Sequence, residues 1–585
     1  MKDNLIQQGK NQVAELCAKA YISASEKNLL PSGEEISAVV EIPKDSQHGD
    51  FASSFAMVGA KKLKQNPRKI ADILMEEMDL KDSFFSSVSV AGAGFLNFTL
   101  SPLWYQTVLT TLQAQGENYG RQEKNGKTVM VEFVSANPTG PMHMGNARGG
   151  VLGDTLANVL DFAGYTAHKE FYLNDAGNQI DKFARSIQGR YQQLLAPEKE
   201  LPFSPDYYQG GDIITLAEEI FAKEGDAWDK LPQEEQLKKF ADYGLSVNIP
   251  NMKKHLEKYG IQYDKWYLES SLYEDGSVKE TLDRLTENGH TYEKDGALWL
   301  KTSDLLREKF LAEGKKPEQI EKLELKDDVL RRANGFYTYF AADIAYHRNK
   351  LETRSFDLAI NVWGADHHGH VARIQVAMDA LGLDGSSRLV VVLMQLVNLL
   401  QDGKPVRMSK RTGKALALED LLEEISVDAA RFFFNNRVAS SSLDFDLDLA
   451  LRQDAENPVY YVQYAHARIC SLLSRVEEEG NPTENFDPLL LNSPEELALI
   501  KALAQFPEEI ALSARDFDPS RINRYLISVS ADFHRFYNEN HILGEALPLL
   551  SARYHLAQAT VLVLAQGLKL LAVSAPQRMT RLEES

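Results

Sequence analysis

The sequence predicts an α/β protein with a Rossmann-type parallel-sheet core, an N-terminal α/β domain and a C-terminal all-α helical bundle. The core is predicted because residues 128–136 form a strand-like apolar run, a helical pattern begins near Met142, and residues 167–173 form a second strand-like run. Strand, helix and strand in this order favour a parallel sheet with a right-handed crossover. From about residue 455 to the end, periodic apolar helices dominate, and this predicts the bundle.

Four regions are expected along the 585 residues, in keeping with domains of about 150 residues each. Residues 1–115 mix helix and strand patterns, and a polar, turn-rich segment follows them. The core domain is expected at 120–400, interrupted by an acidic, mostly helical insertion at about 195–300. Residues 401–454 would connect this core to the helical domain at 455–585.

Composition narrows the classes of function. With only Cys17 and Cys470, the chain has neither a disulfide framework nor a paired-cysteine zinc site, and this favours the cytoplasm. No apolar run reaches the roughly 20 residues of a membrane helix, and the N-terminus is too polar for a signal peptide. The net charge of −20 opposes general binding to a phosphate backbone. DNA is therefore not expected, and RNA would have to be held by local basic patches.

The segment His143-Met144-Gly145-Asn146 follows a strand and a loop and stands at the start of a predicted helix. A helix N-terminus offers unpaired N–H groups and a partial positive charge, which suit a phosphate. His143 could donate to a phosphoryl oxygen as charge builds there, and Gly145 would let a flat base lie close to the backbone. Taken alone, so short a motif is more often an ordinary polar helix start.

Its surroundings make the motif specific. The stretch FVSANPTGPMHMGNARGG, residues 133–150, resembles the HIGH signature of class I aminoacyl-tRNA synthetases in its arginine-specific form. His143 and Gly145 match that pattern, whereas Asn146 replaces its second histidine and can donate a hydrogen bond without carrying charge. The resemblance implies that His143, Gly145 and Asn146 are catalytic, and that these residues and Pro138 contact ATP.

A second signature lies far downstream. Residues 407–413, Arg-Met-Ser-Lys-Arg-Thr-Gly, resemble the KMSKS loop of the same class, with Arg407 in place of the first lysine. The resemblance implies that Met408 and Ser409 contact ATP and that Lys410 stabilises the leaving pyrophosphate, a role suited to a point charge. A basic loop by itself is usually a solvated turn, so this interpretation depends on the pairing with the first signature.

A third nucleotide element is expected where the strand at 356–364 ends. In class I synthetases a Gly-x-Asp at a strand's carboxyl end holds the ribose, which implies that role for Gly364 and Asp366. His367 and His370 are expected to line the nucleotide pocket. A metal site built from this histidine cluster is the less favoured alternative, because no cysteine or carboxylate at ligand spacing completes it. No bound metal is expected beyond the Mg²⁺ that accompanies ATP.

Arginine specificity requires carboxylates and oxygen acceptors around a flat guanidinium group. Tyr339 and Asp343 are one helical turn apart and would share a face, while Glu132 lies on the strand before the first signature. The alternative is that Tyr339 and Asp343 only cap and pack a helix. The resemblance to arginyl-tRNA synthetases implies that five residues contact arginine: Glu132, Ser135, Asn137, Tyr339 and Asp343. Which carboxylate meets the guanidinium is left open.

Two further regions extend the resemblance over nearly the whole chain. The C-terminal helices resemble the family's anticodon-binding domain, and residues 1–115 resemble the extra domain that grips the tRNA elbow. Aromatic rings can stack on splayed bases and arginines can hold phosphates, although an aromatic in a bundle is more often part of the core. The candidate tRNA contacts are Tyr460, Tyr464, Arg468, Arg524 and Arg535.

The function that the resemblance implies is that of an arginine–tRNA ligase. Such an enzyme activates arginine with ATP, transfers it to the 3′-terminal adenosine of tRNA(Arg) and releases AMP and pyrophosphate. The family also implies a monomer. Two other hypotheses stay open: a different nucleotidyl transferase with the same histidine-glycine fold, and a catalytically silent RNA-binding paralogue, which only Asn146 favours.

Overall fold

The structure is a computed structural model that describes residues 4–406, 417–480 and 486–579. The N-terminal region folds as helices around a four-stranded antiparallel sheet with the strand order β1-β2-β4-β3. Phe51, Phe85 and Phe98 pack edge to face between the sheet and the helices. The elements are α1 Leu5–Glu26, β1 Val40–Glu41, β2 Phe51–Ser53, α2 Phe55–Leu63, α3 Pro67–Glu76, β3 Phe85–Ala91, β4 Phe95–Leu100 and α4 Pro102–Gln115.

The central domain begins with alternating strands and helices. Its first strand has three fully buried apolar residues, as expected of a strand covered on both faces. The elements of this first half are β5 Thr128–Glu132, α5 Met144–Phe162, β6 Thr166–Leu173, α6 Asn178–Leu195, α7 Gly211–Glu224, α8 Gln233–Lys258 and β7 Lys265–Leu268. Helices α6, α7 and α8 surround a separate apolar core that includes Phe183, Ile213 and Phe240.

The second half of the domain crosses a small antiparallel sheet, ordered β10-β9-β8, before it returns to the central sheet. Its elements are α9 Ser270–Glu274, α10 Ser277–Glu287, β8 Thr291–Lys294, β9 Ala297–Leu300, α11 Thr302–Ala312, α12 Pro317–Glu321 and β10 Asp328–Arg331. They continue with α13 Tyr339–Arg348, β11 Leu358–Gly364, α14 His368–Ala380, α15 Gly385–Arg388 and β12 Leu389–Met394.

The central sheet has the strand order β12-β11-β5-β6-β7, and every neighbouring pair is parallel. The predicted Rossmann-type parallel sheet is thus confirmed. Strand β7 lies inside the stretch predicted as an insertion, yet it pairs with β6 at the edge of the sheet. After β5, the next strands of the sheet, β6 and β7, are added on one side of β5, and the later strands β11 and β12 are added on its other side. The switch point of the topology therefore lies between β5 and β11, where ligands of open parallel sheets bind.

A connecting region and a helical bundle complete the chain. The connecting region contains β13 Val397–Gln401, β14 Lys404–Pro405, α16 Leu418–Glu424, α17 Val427–Phe434, β15 Leu443–Asp446 and α18 Leu447–Leu451. The bundle contains α19 Pro458–Glu478, α20 Pro494–Ala504, α21 Phe506–Asp516, α22 Ser520–Glu539 and α23 Leu547–Leu570, which confirms the predicted helical region. None of the helices described is long and apolar enough to cross a membrane.

Arg431 ties the bundle to the central domain. This residue of α17 is fully buried, and its guanidinium donates to Asp154 Oδ2 on α5 at 2.5 Å. It also donates to the carbonyl oxygens of Tyr259 at 3.0 Å and Leu571 at 2.8 Å. Asn158, one turn further along α5, donates to the carbonyl of Leu570 at 3.1 Å. Helix α5 is therefore fixed to the C-terminal helix α23 by polar contacts.

Candidate active site

The segment after β5 is bent by a strained backbone. Val134 and Ser135 have φ values of 70° and 42°, in the left-handed region that a β-branched residue such as valine rarely adopts. The Ser135 hydroxyl donates to Glu132 Oε1 at 2.8 Å and accepts from the Tyr172 N–H at 3.2 Å. Tyr263 donates to the carbonyl of Phe133 at 3.1 Å. These bonds hold the bend that brings the first signature over the end of the sheet.

The first signature forms the N-terminus of α5. A cavity of about 520 Å³ is lined by Ser135, Asn137, His143 and Asn146, among others. The His143 side chain is exposed, and Gly145 is exposed beside it, so both can meet a ligand. Pro138 is buried below them, and its carbonyl accepts from Asn248 Nδ2 at 2.9 Å. Of the predicted nucleotide residues of this segment, His143 and Asn146 therefore line the cavity, whereas Pro138 and Gly145 lie beside it in the chain.

Asn146 has a structural role that the sequence did not reveal. Its Oδ1 accepts from the backbone N–H of His143 at 3.1 Å, the reciprocal half of a helix capping arrangement. With the carboxamide oxygen used in this way, the amide NH₂ remains free to donate to a ligand. The departure from the family's histidine therefore preserves a donor at this position.

We expect Asn146→Ala to destabilise the protein by about 1 kcal/mol, because the cap is lost. Asn146→Asp keeps the acceptor but places a negative charge at a helix end that suits phosphate. Thermal unfolding should therefore show a lower midpoint only for the alanine variant, whereas the KM for ATP should rise most in the aspartate variant. A similar ATP KM in both variants would contradict the anion-binding role of this helix end.

Residues 407–416 lie outside the described residues, and they include the second signature residues Met408, Ser409 and Lys410. Their flanks are described. Ala417 pairs with His143 as an isolated antiparallel bridge, and the Leu418 N–H donates to the Met142 carbonyl at 2.8 Å. Lys410 precedes Ala417 by seven residues, and a fully extended chain of that length reaches at most about 25 Å. The residues that directly follow the second signature segment thus lie beside the first signature.

The third nucleotide element lies at the same carboxyl end of the parallel strands. Strand β11 is the direct neighbour of β5, with Asn361 opposite Glu132, and it ends at Gly364. The Asp366 side chain that follows is 82% exposed, and His367 is exposed beside the ring of Trp363, with ring centroids 5.9 Å apart. The predicted ribose-binding residues therefore lie at the switch point, and the Asp366 carboxylate is accessible to a ligand.

Asp343 on α13 joins two groups of predicted site residues. Its carboxylate lies 3.0 Å from His347 Nδ1 and 2.5 Å from Nε2 of His370, a predicted nucleotide contact. Burial raises the pKa of Asp343, but the imidazoles of His347 and His370 outweigh burial and hold that pKa well below its ordinary value. Thr338, not Tyr339, caps the helix through its hydroxyl, and Tyr339 is 49% exposed. Both predicted side chains are thus available to a ligand.

Glu132 forms a buried ion pair with Lys350, a residue that the sequence analysis did not identify. Lys350 lies on a π-helical turn, Asn349–Thr353, and is fully buried. Its ammonium pairs with Glu132 and donates to Asn361 Oδ1 at 2.9 Å. The other face of Asn361, its Nδ2, lies 2.6 Å from His347 Nε2. The one sequence signal was a polar Asn361 in the middle of an otherwise apolar strand.

Glu269 is a second residue that sequence reasoning missed. It follows β7 and lines a cavity of about 800 Å³ together with Gly177, Tyr273 and Tyr339. The residue is only 3% exposed, and Tyr273 donates to its Oε1 at 3.3 Å. Burial raises the pKa of Glu269 to about 7, outweighing its tyrosine hydrogen bonds, and nearby Asp175 and Asp343 add to the rise. Within the part of the chain that is described, Glu269 forms no ion pair.

The candidate tRNA contacts fall into two groups. Tyr460 and Tyr464 on α19 stack with centroids 6.1 Å apart, and Arg468 lies 4.5 Å over the ring of Tyr537 on α22. These form one half-buried aromatic surface. Arg524, by contrast, is held by Asp518 at 3.2 Å, and Arg535 is paired with Asp532. The tyrosines and Arg468 therefore have the stronger structural claim to an RNA-binding surface.

Comparison with known proteins decides the family. The model of the class I (R) tRNA synthetase catalytic domain matches residues 108–446, that of the arginyl-tRNA synthetase N-terminal domain matches 8–100, and that of the DALR anticodon-binding domain matches 462–579. A curated arginine–tRNA ligase of Caldanaerobacter subterraneus is 50% identical over 581 residues, covering 99% of this chain and 100% of the relative. The chain belongs to the arginyl-tRNA synthetases.

Other relatives agree with this assignment. The arginine–tRNA ligase of Acetivibrio thermocellus is 47% identical and covers 98% of the synthetase and 100% of its own length. The crystal structure of a putative arginyl-tRNA synthetase from Campylobacter jejuni, 31% identical, covers 82% of this chain and 100% of its own with a TM-score of 0.71. The Thermus thermophilus structure has the same TM-score at 22% identity over 97% and 100%, which shows the shared fold.

These findings confirm the predicted family, fold class and enzyme class of the synthetase. It is an aminoacyl-tRNA synthetase, and the substrates of its family are arginine, ATP and tRNA(Arg). The roles of single side chains stay predictions, and so do the domain boundaries.

Proposed function

We propose that this synthetase makes arginyl-tRNA in two steps at the switch point between β5 and β11. In the first, a carboxylate oxygen of arginine attacks the α-phosphorus of ATP, and pyrophosphate leaves. In the second, the 2′-hydroxyl of the terminal adenosine attacks the carbonyl carbon of the adenylate, loses its proton, and AMP leaves. The bridge between His143 and Ala417 carries this proposal, because it holds the end of the chain segment that follows the second signature against the first. Catalysis then consists mainly of positioning and of stabilising phosphoryl charge.

The nucleotide is assigned to the side of β11. His143 at the start of α5 would donate to a phosphoryl oxygen, and Lys410 would balance the charge of the leaving pyrophosphate. Asp366, at the carboxyl end of β11, would accept hydrogen bonds from the ribose hydroxyls. Mg²⁺ would arrive bound to the triphosphate as part of the substrate, and the synthetase would act as a cytoplasmic monomer.

Arginine is assigned to the side of β6 and β7, and the ion pairs indicate which carboxylate meets the guanidinium. Glu132 is neutralised by Lys350, and Asp343 is held by two imidazoles. Glu269 is buried in its cavity, and no cation among the described residues forms an ion pair with it. The guanidinium of arginine would supply that missing partner, and it stays charged at any working pH. We therefore place the guanidinium at Glu269 and the α-ammonium nearer Asp343.

An aminoacylation assay with total tRNA and each of the amino acids in turn tests this function. We expect an ester of arginine alone, formed only with ATP and tRNA present. Formation of adenylates of another acid without tRNA would instead favour a different nucleotidyl transferase. Binding of tRNA with no aminoacylation by any amino acid would favour the silent paralogue.

The Lys410→Ala variant tests the second signature. We expect the single-turnover rate of aminoacylation to fall by about 30-fold, or about 2 kcal/mol of transition-state stabilisation, because one charge-assisted contact to the pyrophosphate is lost. Arginine binding should barely change. Lys404→Ala is the matched control, since Lys404 is an exposed lysine on β14 close in sequence to the same segment. Equal rates for Lys410→Ala and the wild type would refute the role.

A further inference from the structure

A tight turn stands at the mouth of the cavity that contains Glu269. It joins β10 to α13 and is closed by an isolated bridge between Arg331 and Tyr337. The Arg332 N–H donates to the Phe336 carbonyl at 2.9 Å, and the Gly335 N–H donates to the Arg332 carbonyl at 2.9 Å. Gly335 adopts a φ of 84°, which favours glycine. The turn is therefore held in one shape by its own backbone.

This turn presents an uncovered aromatic ring. Phe336 is 70% exposed, more than any other aromatic side chain among the described residues. Its ring lines the cavity together with Tyr339 and Tyr273. A large apolar side chain held in water by a rigid turn at the entrance of a substrate cavity is a feature of binding surfaces.

The lining of the cavity carries charges of both signs. Glu269, Glu274 and Asp181 are its acidic members, and they suit an arginine side chain. Arg332 lines the same cavity and is exposed, and it forms no ion pair or side-chain hydrogen bond with any residue in the described ranges. In a chain with a net charge of −20, an unpaired cation beside a bare ring marks this part of the lining as a place for an anion.

We propose that the turn from Arg331 to Tyr337 binds the single-stranded 3′ end of the tRNA, with Phe336 stacking on a base and Arg332 contacting a phosphate. The proposal rests on the proposed function, in which the terminal ribose must reach the carboxyl carbon of arginine inside the cavity. The nucleotides just before that ribose then have to cross the rim. An aromatic face with a neighbouring arginine is the combination that binds unpaired nucleotides.

The test compares variants that separate ring stacking from apolar area. Phe336→Leu keeps an apolar side chain but has no π-face, whereas Phe336→Trp keeps a ring. In steady-state aminoacylation, we expect Phe336→Leu to raise the KM for tRNA about tenfold, the loss of one base stack, and Phe336→Trp to stay within about twofold of the wild type. The KM for arginine should not change in either. Phe221→Leu, which alters an exposed ring on α7, is the matched control and should leave all constants unchanged.

Direct binding with truncated tRNA makes the assignment to the 3′ end specific. We expect Phe336→Leu and Arg332→Gln to weaken binding of full-length tRNA, while tRNA lacking its last three nucleotides binds equally to both variants and the wild type. A higher KM for arginine with an unchanged KM for tRNA would overturn the proposal and make Phe336 a cover over the amino acid. Equal loss for full and truncated tRNA would overturn it as well. A wild-type enzyme that forms no arginyl-tRNA would refute the proposed function instead.

Discussion

Replacing Glu269 by glutamine is expected to raise the KM for arginine by about 10²–10³-fold. Glutamine has nearly the same shape and can still accept from Tyr273, but it cannot balance the guanidinium charge. Breaking one partner of a buried charge pair costs about 2–5 kcal/mol, which is the size of this effect. Equilibrium binding of arginine, measured calorimetrically, and steady-state KM values should show the same loss.

The matched control is Glu274→Gln. Glu274 lines the same cavity, but its side chain is exposed, so water already screens its charge. We expect its arginine KM to stay within about threefold of the wild type. If Glu269→Gln binds arginine normally while Asp343→Asn does not, the guanidinium belongs to Asp343 and the assignment made from the ion pairs is wrong.

The pH dependence of arginine binding should also report the ionisation of Glu269. Burial raises the pKa of Glu269 to about 7, so below that pH the carboxyl group is increasingly protonated and neutral. The arginine cation binds the ionised form, so affinity should fall as the pH falls, by about tenfold between pH 8 and pH 6. The Glu269→Gln variant has no such group and should lose this part of the pH dependence.

The sequence predicted those parts of the fold and site that depend on residues close together in the chain. Strand β5, helix α5 and His143 were predictable, because a strand, a turn-rich loop and a helix follow one another within about 35 residues and carry their own periodicity. Glu269 was not, because it follows β7, a strand of four residues whose burial does not alternate and which is fixed only by pairing with β6. No periodic pattern marks so short an edge strand.

The ion pairs were hidden for a related reason. Lys350 and Glu132 are 218 positions apart in the sequence, and a lysine in a charged helix end gives no sign that its ammonium will be buried. The signature motifs predict which residues would contact a substrate, but not which of them are already neutralised by a buried partner. That distinction required the packing of α13 against the central sheet, and it is what separates Glu132 from Glu269.

The buried network around Lys350 has one consistent orientation. Lys350 can only donate, so Asn361 must turn its oxygen toward Lys350 and its NH₂ toward His347 Nε2. That nitrogen then accepts, and the proton of His347 lies on Nδ1, which is 2.8 Å from the main-chain carbonyl oxygen of Asp343 and 3.0 Å from its carboxylate. A single lysine therefore sets the hydrogen-bond directions of Asn361 and His347, and through them the donor offered to Asp343.

Lys350→Met is accordingly expected to have two effects. It leaves Glu132 buried without its cation, which should destabilise the fold by about 3–5 kcal/mol and lower the midpoint of thermal unfolding. It also releases Asn361 and His347 to reorient, so Asp343 loses its fixed donor and the KM for arginine should rise. Lys309→Met is the matched control, because Lys309 is largely buried against Gln375 but lies outside this network.

The double variant Lys350→Met/Glu132→Gln separates these effects. Removing both charges leaves no unpaired buried ion, so much of the lost stability should return, as replacement of buried pairs by neutral groups often shows. Arginine binding should not recover, because Asn361 and His347 remain unfixed and Glu132 is gone. A double variant that recovered both stability and arginine KM would mean that the network only fills the core. A double variant that is stable but unable to bind arginine, together with a Glu132→Gln single variant that still binds it, would make Lys350 a positioning residue of the amino acid site.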